Sequence, residues 1–153
     1  MEQRINVFEK GQKAISGLLN LGKSLAHSSV EQKLLNLLYF RVSQINACAM
    51  CLEIHSKDLL AEGENEQRLF LLDAWRDAPF YTDRERAALA YAEALTTLKD
   101  KGVPDAIFNQ VKTQFSESEI IDLTIATITI NSWNRLNIAL GAPVGTYQVG
   151  QYN

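Results

Sequence analysis

Thr124-Ile125-Ala126-Thr127-Ile128-Thr129-Ile130 is the stretch on which the fold turns. Polar and apolar residues alternate in it with a period near two and β-branched side chains dominate, which by itself spells a strand. A strand must find partners for its backbone N–H and C=O groups, and the rest of the 153-residue chain is patterned as helix. Ile121, Ile125, Ile128 and Trp133 also fit one helix face, and Ser116-Glu117-Ser118-Glu119 just upstream is a capping box. The stretch is therefore assigned to one long buried helix running to about Leu140, and the chain to the all-α class.

Working outward, proline is scarce, at three residues, and the longer segments keep helical spacing. Phe8, Ile15, Leu18, Leu19, Gly22 and Leu25 mark a first helix that ends between Ala26 and Ser29. Ser29-Val30-Glu31-Gln32 fits a capping box for a second, with Leu34, Leu35, Leu38 and Val42 as its stripe. Ser43-Gln44-Ile45-Asn46 breaks it and places Cys48 in the first turn of a third, which runs to about Ala61 with Gly63 as its C-terminal cap. A fourth spans Glu64 to Trp75, with Leu69, Leu72 and Trp75 inward, and Asp77-Ala78-Pro79 stops it. Thr82-Asp83-Arg84-Glu85 opens an alanine-rich helix through Leu98, and Pro104 opens another over Ile107, Phe108, Val111 and Phe115. The expectation is a single-domain bundle over residues 1–153 with about six to seven helices. The tail from Gly141 to Asn153 is expected to be irregular and to cover a neighbouring subunit. A broadly apolar last helix and tail aromatics expected to be exposed, Tyr147 and Tyr152, predict a homo-oligomer.

Charge excludes several function classes. With 15 basic and 18 acidic residues scattered along the chain and a net charge of −3, no basic stripe points to nucleic acid or an anionic membrane. The start of the sequence lacks the apolar core of a signal peptide, and no run approaches the roughly 20 apolar residues of a membrane span. The expected location is the cytoplasm, where thiols are held reduced and cysteines three apart point to catalysis or metal rather than to a structural staple.

The only two cysteines lie in Cys48-Ala49-Met50-Cys51-Leu52-Glu53-Ile54-His55. On a helix, at about 100° per residue, Cys48 and His55 fall roughly 20° apart around the axis with Cys51 between them in height. One face then carries a dithiol and a base, the requirement for thiolate redox chemistry. A zinc site on Cys48, Cys51, His55 and the remote His27 is the alternative, and two buried inert cysteines the plain one. Covalent haem is excluded because Leu52, not histidine, follows Cys51. Cys48 gains thiolate stability from the helix N-terminus, and Cys51 from His55 one turn on. Peroxide reduction needs an attacking thiolate and an acid for the leaving oxygen, so Cys51 is assigned as the attacking thiol, Cys48 as resolving and His55 as acid/base. Sulfenic acid on Cys51 condenses with Cys48, and an external dithiol reopens the disulfide.

Arg41-Val42-Ser43-Gln44-Ile45-Asn46, then Cys48-x-x-Cys51-x-x-x-His55, resembles the core of the alkylhydroperoxidase D-like group within the carboxymuconolactone decarboxylase superfamily. Lys57-Asp58, Gly63-Glu64, Gln67-Arg68-Leu69, Ala74-Trp75-Arg76, Glu85-Arg86-Ala87-Ala88-Leu89 and Ile130-Asn131-Ser132-Trp133-Asn134-Arg135 extend the likeness to the short members. The resemblance implies an all-α fold, trimers or hexamers, and peroxidase or disulfide reductase activity fed by a lipoyl-type or thioredoxin-type dithiol, without a cofactor or metal. Where members usually carry a relay glutamate twelve residues before the first cysteine, this chain has Asn36. Asparagine hydrogen-bonds but takes up no proton at neutral pH. Met50 stands where some members have histidine, and Ala47 where glycine is usual. Glu53 is the nearby acid able to substitute, and Trp133 and Asn134 resemble the family's tryptophan motif, either supporting the site from behind or packing and capping within the last helix. Two readings follow: a thiol peroxidase or disulfide reductase acting on small hydroperoxides, and a redox-sensing or scaffold oligomer with a switchable disulfide and little turnover, which Asn36 favours. A decarboxylase is the weaker third, since that chemistry needs no dithiol.

Overall fold

In a computed structural model that describes residues 3–152, two reciprocal caps set the frame. Thr82 accepts from the Glu85 N–H while the Glu85 carboxylate accepts from the Thr82 N–H, and Ser116 and Glu119 repeat the exchange. They open α6 (Asp83–Thr97) and α8 (Glu117–Leu140). Between and before them run α1 (Val7–Lys10), α2 (Gln12–Leu25), α3 (Gln32–Ile45), α4 (Ala49–Ala61), α5 (Glu66–Phe70) and α7 (Asp105–Gln114), with 3-10 turns at Leu72–Ala74 and Lys99–Lys101. Among the described residues there is no strand, and no helix is long and apolar enough to cross a membrane.

Thr124 to Ile130 is helical, as assigned, but the buried face is not the one its isoleucines mark. Ile121 and Ile128 are 62% and 44% exposed, while Leu123, Ala126, Thr127, Ile130, Asn134 and Asn137 face inward. The threonine hydroxyls that suggested a strand turn back onto the helix, Thr124 donating to the Ile120 carbonyl and Thr127 to that of Leu123. Small buried residues let α3 approach closely, and α3 is the hub. Its Leu34, Leu35, Leu38 and Val42 pack with α6, α7 and α8, and its Leu37 and Phe40 with Leu59, Leu69, Leu72 and Trp75 on the other side. A helix apolar nearly all round belongs in the middle of a bundle.

Other boundaries moved for local reasons. The capping box expected at Ser29 does not form, and Glu31 begins α3 without a side-chain cap. Ser28 instead accepts from the Val30 N–H and donates to Asp122 at 2.6 Å, tying this turn to α8. The first helix is two, because Asn6 caps a short α1 and the chain bends at Gly11, where a Cβ would meet the Val7 carbonyl oxygen at 2.9 Å. The fourth splits into α5 and a 3-10 turn, with Leu69, Leu72 and Trp75 inward as expected. The tail is irregular but folds on its own chain. Tyr147, expected to be exposed, is 4% exposed and donates to Asp58, while Tyr152 is half exposed.

Beside Trp75, on the Leu37 and Phe40 side of α3, Glu93 collects three donors. Its Oε1 accepts from Arg41 Nε at 2.6 Å and Trp75 Nε1 at 2.8 Å, and its Oε2 pairs with Arg76 at 2.7 Å. Arg41 also holds Gln44 and Asp73.

Candidate active site

The turn between α3 and α4 is built to deliver the first cysteine. Ala47 takes a left-handed φ of 55°, a conformation that favours glycine. After it the Cys48 N–H donates to the Ser43 carbonyl at 3.1 Å. Asparagines of α8 fix the turn from the side: Asn46 donates to both Asn131 and Asn134 at 2.9 Å, and fully buried Asn134 donates to the Ser43 hydroxyl at 3.0 Å.

Cys48 is thus the N-cap residue of α4 and Cys51 lies in its first turn. The two are joined as a disulfide, with Cα atoms 5.4 Å apart, and are 1% and 2% exposed. Unpaired N–H groups of a first helical turn favour negative charge, so reduction would place a thiolate where the backbone stabilises it. Asn137, also buried, donates from Nδ2 to Cys51 Sγ at 3.4 Å. Of the two sulfurs, Cys51 has a side-chain donor as well as the helix terminus.

His55 lies one turn beyond Cys51 on α4, its ring 5.2 Å from that of Tyr39 and tilted to it. Its Nδ1 is buried without a hydrogen-bond partner among the described residues. Burial lowers the imidazole pKa to about 4, so the ring is neutral near pH 7. It can accept a proton but does not attract a thiolate as a cation. Burial likewise raises the Tyr39 phenol, which stays protonated.

The remaining candidates sit apart from the dithiol. Asn36 donates to Glu62 at 2.8 Å, at the opposite end of α4 from the cysteines, roughly 16 Å along the axis from Cys51 at about 1.5 Å per residue. It is not brought to the dithiol. Glu53 pairs with Lys57 at 2.6 Å and accepts from the Gly145 N–H, and these bonds hold its carboxyl below the usual range. It tethers the tail, helped by Lys57 donating to the Tyr147 carbonyl. Trp133 begins an aromatic stack that continues through Phe8 and Tyr152 to Tyr147, with centroids 6.2, 6.0 and 5.6 Å apart. His27 is exposed in the turn after α2. A cavity of about 460 Å³ adjoins Arg41, Arg76 and Glu93, whose charges satisfy one another, and none of its lining residues bonds to the dithiol.

The pairing of Asn36 with Glu62 reverses what a restored relay acid would do. Asn36→Glu would set two carboxylates at hydrogen-bond distance, so unfolding free energy is expected to fall by up to about 1 kcal/mol with no gain in peroxide turnover. Urea titration beside a turnover assay checks both, and a gain in turnover would restore the relay.

Sequence reading passed over Asn137 and Tyr39. Asn137 had a signal. Asn131, Asn134 and Asn137 recur every third residue on one helix, and asparagine is a poor helix former that must be held there by something else. Asn134 is held by Asn46 and Ser43 and Asn137 by Cys51, while Asn131 accepts from Asn46 and also bonds Thr96, the Thr127 carbonyl and Arg135.

Comparison with known proteins agrees with the architecture. The model of the carboxymuconolactone decarboxylase family matches residues 12–94, which include Cys48, Cys51 and His55. The uncharacterised protein YdfG of Bacillus subtilis (strain 168) is 36% identical over 141 residues, 92% of this chain and 96% of that protein. A protein of unknown function from Agrobacterium tumefaciens, a candidate antioxidant defence protein AhpD, superposes with a TM-score of 0.90 at 32% identity, over 95% of this chain and 100% of the other. The debrominase Bmp8 shares the fold at a TM-score of 0.79 and 21% identity, over 90% of this chain and 74% of its own.

Proposed function

We propose that this chain, which belongs to the carboxymuconolactone decarboxylase family, is a thiol-dependent peroxidase or disulfide reductase working through Cys48 and Cys51. Fold alone does not select a chemistry. The observation that carries the reading is a disulfide between cysteines three residues apart at a helix N-terminus, with an amide donor on Cys51 Sγ.

The reaction balances on these groups. The Cys51 proton leaves by way of His55, which carries it only in passing because burial keeps the ring neutral at rest, and the thiolate, held by the α4 terminus and Asn137, attacks the terminal oxygen of a hydroperoxide, R–O–O–H. The O–O bond breaks, the alkoxide leaves as alcohol with the proton returned by His55, and Cys51 becomes a sulfenic acid. The Cys48 thiol displaces water to form the disulfide, and an external dithiol of lipoyl or thioredoxin type supplies two electrons by exchange, itself becoming a disulfide.

Cumene hydroperoxide consumption with dihydrolipoamide as donor tests this. Wild type should turn over, Cys51→Ser should lose all turnover, and Cys48→Ser should react once and stop at the sulfenic acid. Turnover that survives Cys51→Ser would overturn the assignment. The burial of both sulfurs favours a second reading, a redox switch with little turnover. Reversible loss of two thiols in a wild type that consumes no peroxide would select it.

The outward isoleucines of α8 support assembly into a homo-oligomer, a trimer or hexamer. Light scattering at low micromolar concentration is expected to give a multiple of the chain mass, and a monomer mass would refute assembly.

A further inference from the structure

A cavity of about 200 Å³ lies between the two ends of the chain; neither cysteine nor His55 lines it, and it approaches the dithiol through Met50 and Asn137. Phe8 from α1, Met50 from between the cysteines, Asn137 and Leu140 from the end of α8, and Pro143 and Tyr152 from the tail form its wall. No charged side chain lines it among the described residues. The geometry points to this cavity as the site where a compact, uncharged organic hydroperoxide binds, its –OOH head on the Asn137 amide and its body against Phe8, Met50 and Leu140. This rests on the peroxidase reading above.

Asn137 is what connects the cavity to the chemistry. It is buried, it forms part of the wall, and its Nδ2 donates to Cys51 Sγ. Its side chain makes no other hydrogen bond among the described residues, leaving the second N–H and Oδ1 for a ligand. A hydroperoxide head offers one O–H donor and two acceptor oxygens, so it can donate to Oδ1 and accept from the free N–H. That two-point grip sets the terminal oxygen beside the sulfur that the same amide holds. A cyclic disulfide of lipoyl type has no donor for Oδ1, so the cavity suits the oxidant and not the spent reductant. Gln3, Asn6, Thr146 and Gln151 add uncharged polar groups to the wall, so a carboxylate-bearing hydroperoxide would find hydrogen-bond donors there but no cation to pair with its charge. Hydrogen peroxide can take the grip but leaves the walls empty, and each methylene placed against them is worth roughly 4-fold in affinity. Liquid water would fill the space with roughly seven molecules, so the body it admits is about one substituted ring.

The test reads a ratio. The reduced protein is mixed with cumene hydroperoxide or hydrogen peroxide in stopped flow, and the second-order rates of thiol loss are compared in wild type, Met50→Phe and Leu140→Phe. Filling the cavity should lower the organic-to-hydrogen-peroxide ratio at least 10-fold in both variants. Separately, 2-phenyl-2-propanol, the alcohol product, is titrated into the oxidised wild type and the Met50 and Leu140 methyl resonances are followed, which should shift saturably. A ratio that stays put in either folded variant overturns the assignment, even if the alcohol binds. If neither peroxide oxidises the wild type, the peroxidase reading falls by itself. Saturable shifts would then still uphold the cavity as a binding site, and their absence would remove it.

Discussion

Glu93→Leu should lower the free energy of unfolding by about 3 kcal/mol or more, and Glu93→Gln by roughly half that. Glu93 is the common acceptor of Arg41, Trp75 and Arg76, and the Arg41 side chain is only 10% exposed. Deleting the carboxylate strands a guanidinium and an indole N–H inside the bundle, and stranding buried partners costs more than the pair itself contributes. Arg76 is largely exposed and can turn to water, and Asp73 still reaches Arg41, which keeps the loss at the lower end. Glutamine preserves an oxygen for Trp75 and Arg41 while losing the charge. The sign with pH agrees. Burial pushes the Glu93 carboxyl up, and the hydrogen bonds from Trp75, Arg41 and Arg76 together outweigh it, holding the group below its ordinary value. A depressed carboxyl contributes stability above its unfolded pKa and loses it as pH falls through the folded one. Urea midpoints at pH 7 for the three proteins settle it. A Glu93→Leu protein within 1 kcal/mol of wild type would mean that the cluster is a solvated surface network.

How much of this was legible in the sequence depends on how far each signal had to reach. The boxes at Thr82 and Ser116 close within four residues, and both formed. Ser29 carried the same pattern and failed, because its neighbour Ser28 found Asp122, which lies across the fold on α8. The dithiol at the start of a helix was readable because spacing and helix geometry fix it. Its amide partner was not, since Asn137 meets Cys51 only through the packing of α8 on α4. Asn36 misled because a motif position says which residue is usual but not what it touches here, and it touches Glu62. In α8 hydrophobicity misled. The isoleucines were assigned inward by size, whereas close packing on α3 selects Ala126 and Thr127 and turns Ile121 and Ile128 out.

His55→Leu should separate function from stability more sharply than any change to the cysteines. His55 has a folded pKa of about 4 against an ordinary 6.5, because burial disfavours its charged form. As pH falls below the unfolded value, the unfolded chain takes up a proton that the folded ring declines, so folded-state stability drains away down to about pH 4. Two and a half pH units correspond to roughly 3 kcal/mol, an upper bound given that the ring keeps some contact with solvent. Leucine has no proton to take up and leaves no unpartnered Nδ1. The variant should therefore match or exceed wild type at pH 7.5 and be flatter than wild type between pH 6.5 and 4.5. Turnover should move the other way and fall by about 100-fold or more, the contribution of a positioned acid/base. The Glu93 cluster titrates in both proteins and cancels in the difference. Urea unfolding of the oxidised proteins across that range, with peroxide turnover at pH 7.5, gives both readouts. Parallel pH curves would show that the imidazole is hydrated rather than buried. A stabilised variant with undiminished turnover would make His55 a packing residue and leave thiol activation to the α4 terminus and Asn137. The expected pair of results, gained acid resistance and lost activity, is the mark of a polar group kept in an apolar place for its chemistry.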